Sequence, residues 1–318
     1  MPIELILKIL LGLLILSILF LSAGAWIIAD RIIRPPKSEY DQIVKDMKRR
    51  LNYSEEEFTA LMALPYEEVS VPSNYGYMIR GRLFDHGSAK SVILLHREGR
   101  NLMASYKFLQ MYRTQGYNVL MFDARYHGKS GGSNYTYGYF ERWDLLNLAD
   151  FMFERFGSDS MLGFHGESGG AATALMALDR NDRISFAISD SSFTELLEVM
   201  RGLEQKILRT RSKRLLIMIN QIVKRRAGFS LADVNPLYEI EALEVPVFFI
   251  HSERDKIVPA KMSKILTSFK SGYNELYIIP NSMHLMGYYQ HRGEYEARVR
   301  AFLDNTEALY RQFGKTVI

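Results

Sequence analysis

The chain has 318 residues, a formal net charge of +4, 47% hydrophobic and 24% charged residues, and no cysteine. That length accommodates one large α/β domain plus an appendage. Without cysteine, disulfides, thiolate metal sites and a thiol nucleophile are excluded, and so mild a positive charge with no recognition motif implies no nucleic-acid partner.

The N-terminus opens with an uncharged stretch at 9–29. As a helix it rises about 31 Å, matching a hydrocarbon core of about 30 Å, and Trp26 stands near one end where an indole favours the interface. The pattern predicts a single membrane-spanning helix. Ala23-Gly24-Ala25 also fits a signal-peptide cleavage site, but the n-region carries only Lys8 and apolarity continues past it, which favours an uncleaved anchor. Arg31, Arg34 and Lys37 follow the span. Flanking charge therefore argues that the chain after the span lies in the cytoplasm.

Pro35-Pro36 stops the helix and begins a helical linker, 35–65, with an amphipathic helix at 38–51. Ser54 and Glu57 form a capping box opening a second helix that Pro65 ends. Residues 67–72 and 77–84 read as a hairpin through Asn74-Tyr75-Gly76. Strands at 91–96, 118–122, 161–165, 184–189, 247–252 and 275–280 then alternate with helices at 103–115, 140–156, 168–178 and 294–313. Such alternation predicts a mostly parallel twisted sheet with helices on both faces.

Between 190 and 247 about fifty residues leave the alternation. The stretch 193–224 reads as helical, with Arg201, Lys206, Arg209, Arg211, Lys213 and Arg214 along it. An insertion here, at about 193–235, sits as a lid over the carboxyl ends of the strands. Its cations read equally as a solvated face or as a surface for anionic lipid or substrate.

Chemistry concentrates at Gly166-Glu167-Ser168-Gly169-Gly170, between an apolar strand and an Ala-rich helix. A sharp strand-to-helix turn needs small flanking residues, and it lifts the Ser168 hydroxyl over unsatisfied helix N-terminal amides. A serine nucleophile needs a base and a group to orient that base. His284 lies on the loop after the last strand and Asp255 on the loop after the preceding one, giving the order Ser, Asp, His expected for this strand arrangement. Asp190, after the strand following the nucleophile helix, is the second candidate for the acid. His96, His127 and His251 read as loop-stabilising, His165 as a packed strand residue, and His86 and His291 as surface positions. No metal-ligand spacing occurs, so neither metal nor cofactor is implied.

These motifs resemble the α/β-hydrolase superfamily, and within it the lid-bearing, membrane-anchored serine hydrolases of Gram-positive bacteria. The resemblance runs from about Tyr66 to Leu303. It includes Asp123-Ala124-Arg125-Tyr126-His127-Gly128-Lys129-Ser130, the Arg254-to-Pro259 turn, and His284 followed by Tyr295 and Phe302-Leu303. It implies an α/β-hydrolase domain at 66–318 behind a membrane anchor at 1–34. It also implies Ser168 as nucleophile, His284 as general base and acid, and Asp255 as the orienting carboxylate. The implied oxyanion donors are the backbone N–H groups of Gly169 and Glu98. Arg97 stands where the family has glycine, and so becomes a candidate pocket residue. By resemblance the domain would lie outside the cytoplasm, opposite to the charge-based reading. The expected substrate is a small acyl ester or thioester, or an amide. A peptidase of the S9 type, an acyltransferase using the same residues, and a non-catalytic binding protein on this fold are the alternatives.

Overall fold

The computed structural model describes residues 2–209 and 212–313, leaving Arg211 outside the described residues. The chain opens with α1 (Ile3–Ile33), α2 (Tyr40–Leu51) and α3 (Glu55–Met62), followed by the hairpin β1 (Glu67–Pro72) and β2 (Met78–Phe84). Then come β3 (Lys90–Leu95), a 3-10 turn (Leu102–Phe108) running into α4 (Leu109–Arg113), β4 (Asn118–Phe122), α5 (Glu141–Phe156), β5 (Met161–Glu167), α6 (Gly169–Leu178) and β6 (Phe186–Asp190). The excursion is α7 (Leu196–Leu208), α8 (Lys213–Ala227) and α9 (Pro236–Ile240). The domain closes with β7 (Val247–Ser252), α10 (Lys261–Phe269), β8 (Asn274–Ile279), α11 (Gly287–Gln290) and α12 (Arg292–Phe313).

All eight strands form one sheet in the order β1-β2-β4-β3-β5-β6-β7-β8. Pairing is antiparallel from β1 to β4 and parallel from there on. Alternate side chains feed two cores, as the two-residue period of a strand requires. Val92 and Leu94 of β3, with Phe248 and Ile250 of β7, face the core shared with α2, α3 and α12. Ile93, Leu95, Val247 and Phe249 face the core shared with α5, α6 and the excursion. This is the α/β-hydrolase fold. The order in which successive strands are added reverses between β3 and β5, so the loops leaving their carboxyl ends flank the crevice where such sheets bind ligands.

Most of α1 stands clear of the domain, with Leu5 through Leu21 largely exposed. It is one helix long and apolar enough to cross a membrane. Its last turns are different: Ala25, Ala29, Ile32 and Ile33 are buried in the core that also holds Leu216, Ile219 and Val223 of α8. Residues 40–62 are packed too, through Ile43, Met47, Leu51, Phe58 and Leu61, and the Ser54–Glu57 capping box is present in both directions.

Two helix expectations needed correction. The stretch 193–224 is not one helix: α7 ends where Arg209 turns left-handed (φ 51°), and α8 begins afresh at a Ser212 cap. The helix expected over 103–115 opens as a 3-10 turn, with the Asn101 side chain capping Met103 N–H.

Candidate active site

The turn from β5 to α6 is built by close backbone approach. A Cβ on Gly170 would stand 2.7 Å from the Leu95 carbonyl oxygen and 2.6 Å from that of His96. One on Gly166 would meet the Gly170 carbonyl carbon and oxygen at 2.4 Å. Ser168 between them takes φ 51° and ψ −117°, a strained conformation for a residue bearing a side chain. Its N–H donates to the Asp190 carbonyl at 2.8 Å, and its carbonyl accepts the first α6 bond, from Ala172 N–H at 3.0 Å.

On the loops after β7 and β8, Asp255 and His284 meet. His284 Nδ1 donates to Asp255 Oδ2 at 2.5 Å, while Asp255 Oδ1 accepts from the Ile257 and Val258 N–H groups at 2.8 and 2.9 Å. Burial alone would raise the Asp255 carboxyl, but hydrogen bonds with His251 and His284 outweigh it and hold it at about 2. Asp255 is therefore an anion at neutral pH. His284 Nε2 is buried and makes no hydrogen bond, so no hydrogen bond links it to Ser168 in this state. In ligand-free sites such contacts are commonly long and tighten in the substrate complex. Asp190, the second candidate for the acid, is engaged elsewhere, accepting from Tyr295 Oη at 3.0 Å and from Ser191 Oγ at 2.8 Å.

The loop after β3 is held by two neutral histidines. His96 Nδ1 donates to the Arg97 carbonyl at 2.8 Å, and its Nε2 accepts from Ala124 N–H at 3.0 Å. His127 Nδ1 donates to the Arg125 carbonyl at 3.0 Å, and its Nε2 accepts from Gly99 N–H at 2.9 Å. Burial is the main cause lowering them to about 4 and about 3, so neither carries charge at neutral pH. His165 is buried between Tyr112 and Tyr295, and burial likewise takes it to about 3. His251, also read as loop-stabilising, sets Nε2 2.9 Å from the Val258 carbonyl and 3.3 Å from Asp255 Oδ2, while Nδ1 contacts Ser263 Oγ at 2.7 Å.

Glu98 and Gly169 are close together. An added Cβ on Gly169 would stand 3.2 Å from Glu98 Oε2 and 2.7 Å from Tyr135 Oη, and that Glu98 oxygen is buried without a hydrogen-bond partner. A carboxylate thus borders the backbone amides expected to receive an oxyanion. One residue before Ser168, Glu167 makes a buried ion pair with Lys107. Burial opposes the charge on Lys107, but Glu167 and other acids outweigh it and raise its pKa. Sequence reasoning missed this pair, and the only signal for it was an acidic residue at the variable position of G-x-S-x-G. Arg97 lines a cavity of about 190 Å³ with His284, Glu167 and Ile257. Ile257 also lines a larger cavity of about 850 Å³ under α7 and the start of α8.

With this geometry, the chain compares with known proteins as follows. The sequence model of the prolyl oligopeptidase family, Peptidase_S9, matches residues 104–308. YqkD of Bacillus subtilis is 32% identical over 262 residues, covering 81% of this chain and 86% of YqkD. YfhR of Escherichia coli is 24% identical over 211 residues, 64% of this chain and 66% of YfhR. Among solved structures, the Pyrococcus furiosus esterase Pf2001 superposes with a TM-score of 0.67 at 23% identity, covering 86% of this chain and 98% of the esterase. The Pyrococcus horikoshii acylaminoacyl peptidase superposes at 0.60 and 16% identity, covering 80% of this chain but 43% of the peptidase. The chain therefore belongs to the prolyl oligopeptidase (S9) family of α/β hydrolases.

Proposed function

We propose that this protein is a membrane-anchored serine hydrolase that cleaves ester or thioester bonds through an acyl-enzyme on Ser168. The observation that carries the reading is the partly buried Asp255–His284 hydrogen bond, which leaves Nε2 of the imidazole unpartnered among the described residues on the loop after β8. With Asp255 fixing the Nδ1–H tautomer, Nε2 is the basic atom. It takes the Ser168 hydroxyl proton as Oγ adds to the carbonyl carbon. The tetrahedral oxyanion is received by the Gly169 and Glu98 N–H groups. The proton on Nε2 then passes to the departing alcohol or thiol as the bond to it breaks. Water repeats the sequence: it gives its proton to Nε2, adds to the acyl carbon, and frees the acid and the Ser168 hydroxyl.

In this reading 193–235 is the lid and the cavity under α7 and α8 takes the acyl chain. The exposed part of α1 spans the bilayer, and its buried end holds the lid at the membrane surface. Cleavage of an amide by the same residues is the second reading, favoured by the family match. Turnover of p-nitrophenyl esters of graded chain length, against aminoacyl p-nitroanilides, distinguishes the two. Loss of all turnover in Ser168→Ala is expected, and unchanged turnover in that variant contradicts both.

A further inference from the structure

The cavity beside His284 is lined by cations from three separate segments. Arg50 comes from the last turn of α2, Arg97 and Arg100 from the loop after β3, and Lys107 from the 3-10 turn before α4. Two acidic residues share the cavity, Asp46 and Glu167. Glu167 is taken by Lys107. Asp46 is taken by Arg49 at 2.7 Å, also accepts from Gln42 at 3.2 Å, and lies 3.9 Å from Arg100. Among the described residues neither Arg97 nor Arg50 has a carboxylate partner: Arg97 donates to the Glu98 carbonyl at 3.3 Å, and Arg50 to the Met286 sulfur, a weak acceptor, at 2.7 Å, with its guanidinium 5.7 Å from the Tyr289 ring. The Glu98 carboxylate points elsewhere, towards Gly169 and Tyr135.

Three guanidinium groups gathered at one small cavity repel one another. The effect is visible at Arg100, whose pKa is lowered first by burial and then by the neighbouring Arg97 and Arg50 charges, against a partial offset from Asp46. A guanidinium fork without a carboxylate partner suits a planar or tetrahedral oxyanion, which it can bind by two parallel hydrogen bonds. The cavity volume of about 190 Å³ equals about six water molecules, enough for one acidic group and not for a second acyl chain. Its position beside His284, with Ile257 shared between it and the larger cavity, puts that group next to the scissile bond.

We propose that the cavity lined by Arg50, Arg97 and Arg100 is an anion subsite, and that the substrate of this hydrolase is an ester bearing a carboxylate or phosphate close to the bond cleaved. The assignment rests on the Ser168 hydrolase reading above. The shared chemistry is an oxyanion within reach of Arg97, whether carried by a small soluble ester or by a lipid headgroup.

The test uses the full chain in neutral detergent micelles and three matched ester pairs. The first places the acid on the acyl side: p-nitrophenyl hydrogen adipate against p-nitrophenyl hexanoate. The second places it on the leaving group: 4-acetoxybenzoate against its methyl ester. The third is lipid-borne: 1-oleoyl lysophosphatidate against 1-oleoylglycerol. In at least one pair kcat/KM favours the acidic ester at least tenfold. That ratio falls at least fivefold in Arg97→Ala and in Arg100→Gln, and Arg97→Lys retains part of it. Labelling of each variant by a fluorophosphonate checks that the fold and the nucleophile survive. The pair that responds identifies a soluble or a lipid source. Ratios near one in all three pairs, or a preference untouched by the arginine replacements, overturn the subsite while leaving the hydrolase standing. Absence of both turnover and labelling of the folded wild type overturns the hydrolase and takes the subsite with it.

Discussion

Arg226 of α8 meets Asp30 of α1 at 2.6 Å, and the same guanidinium lies 4.3 Å from the Trp26 ring. α1 and α8 of the excursion are therefore joined by a partly buried charge pair as well as by apolar packing. Arg34 extends the joint by donating to the Ser133 carbonyl at 3.1 Å, and Tyr135 N–H donates to the Ile33 carbonyl at 2.8 Å.

Replacing Arg226 by Ala removes the pair and the ring contact together. The expected loss is about 1–2 kcal/mol, because both groups retain some solvent. Thermal unfolding in detergent micelles reads this as a Tm lower by about 2–6 °C. Exchanging the two charges in an Asp30→Arg, Arg226→Asp double variant recovers part of the loss; equal instability of single and double variants would show that packing alone fastens α1.

Asp255 gives a signed pH prediction. Its folded pKa of about 2 lies below the ordinary carboxylate value, so its contribution to stability is present above about pH 4. It is lost as pH falls from about 4 towards about 2. Wild type should therefore lose more stability than Asp255→Asn across that window, as read by denaturant melts at fixed pH values. The same variant presents the wrong tautomer of His284 and lowers kcat by on the order of 10³–10⁴, with the acyl-enzyme accumulating too slowly for a burst.

The elbow glycines were legible because the chemistry of a tight strand-to-helix turn fixes which residue types fit. Gly170→Ala sets a methyl against two carbonyl oxygens of the Leu95–His96 segment. The expected cost is about 1–3 kcal/mol of stability, with fluorophosphonate labelling slowed as the turn shifts. A Gly170→Ala protein as stable and as reactive as wild type would contradict the close approach.

Much else in the sequence was readable for similar reasons. Alternating strands and helices announced a parallel sheet, and of the seven histidines the order Ser, Asp, His pointed to His284, which the fold sets against Asp255. What could not be read depends on distance in three dimensions. Arg50, Arg97 and Arg100 come from segments whose meeting the pattern does not encode. The Glu167–Lys107 pair spans 60 residues, and the docking of α1 on α8 joins Asp30 to Arg226, 196 residues away. The break at Arg209 was hidden because its flanking residues keep a helical pattern, while the turn itself is a left-handed residue other than glycine.

Glu98 makes a prediction opposite in direction to those above. Its buried carboxylate oxygen borders Gly169, so negative charge there opposes the developing oxyanion while the backbone N–H favours it. Glu98→Gln keeps the shape and removes the charge. The acylation rate, followed by stopped-flow with an activated ester, should rise about threefold to tenfold, a fraction of what one oxyanion donor contributes. A fall of similar size would instead assign the Glu98 side chain a positive part in binding substrate.

In the proposed mechanism Ser168 is the nucleophile and His284 activates it. Intact-mass and peptide-mass spectrometry after exposure of the full chain to a fluorophosphonate tests this most directly. One adduct is expected, on the peptide containing Ser168, with labelling slowed at least a hundredfold in His284→Gln and absent in Ser168→Ala. A folded wild-type protein that takes no adduct, or takes it at another residue, would contradict the account.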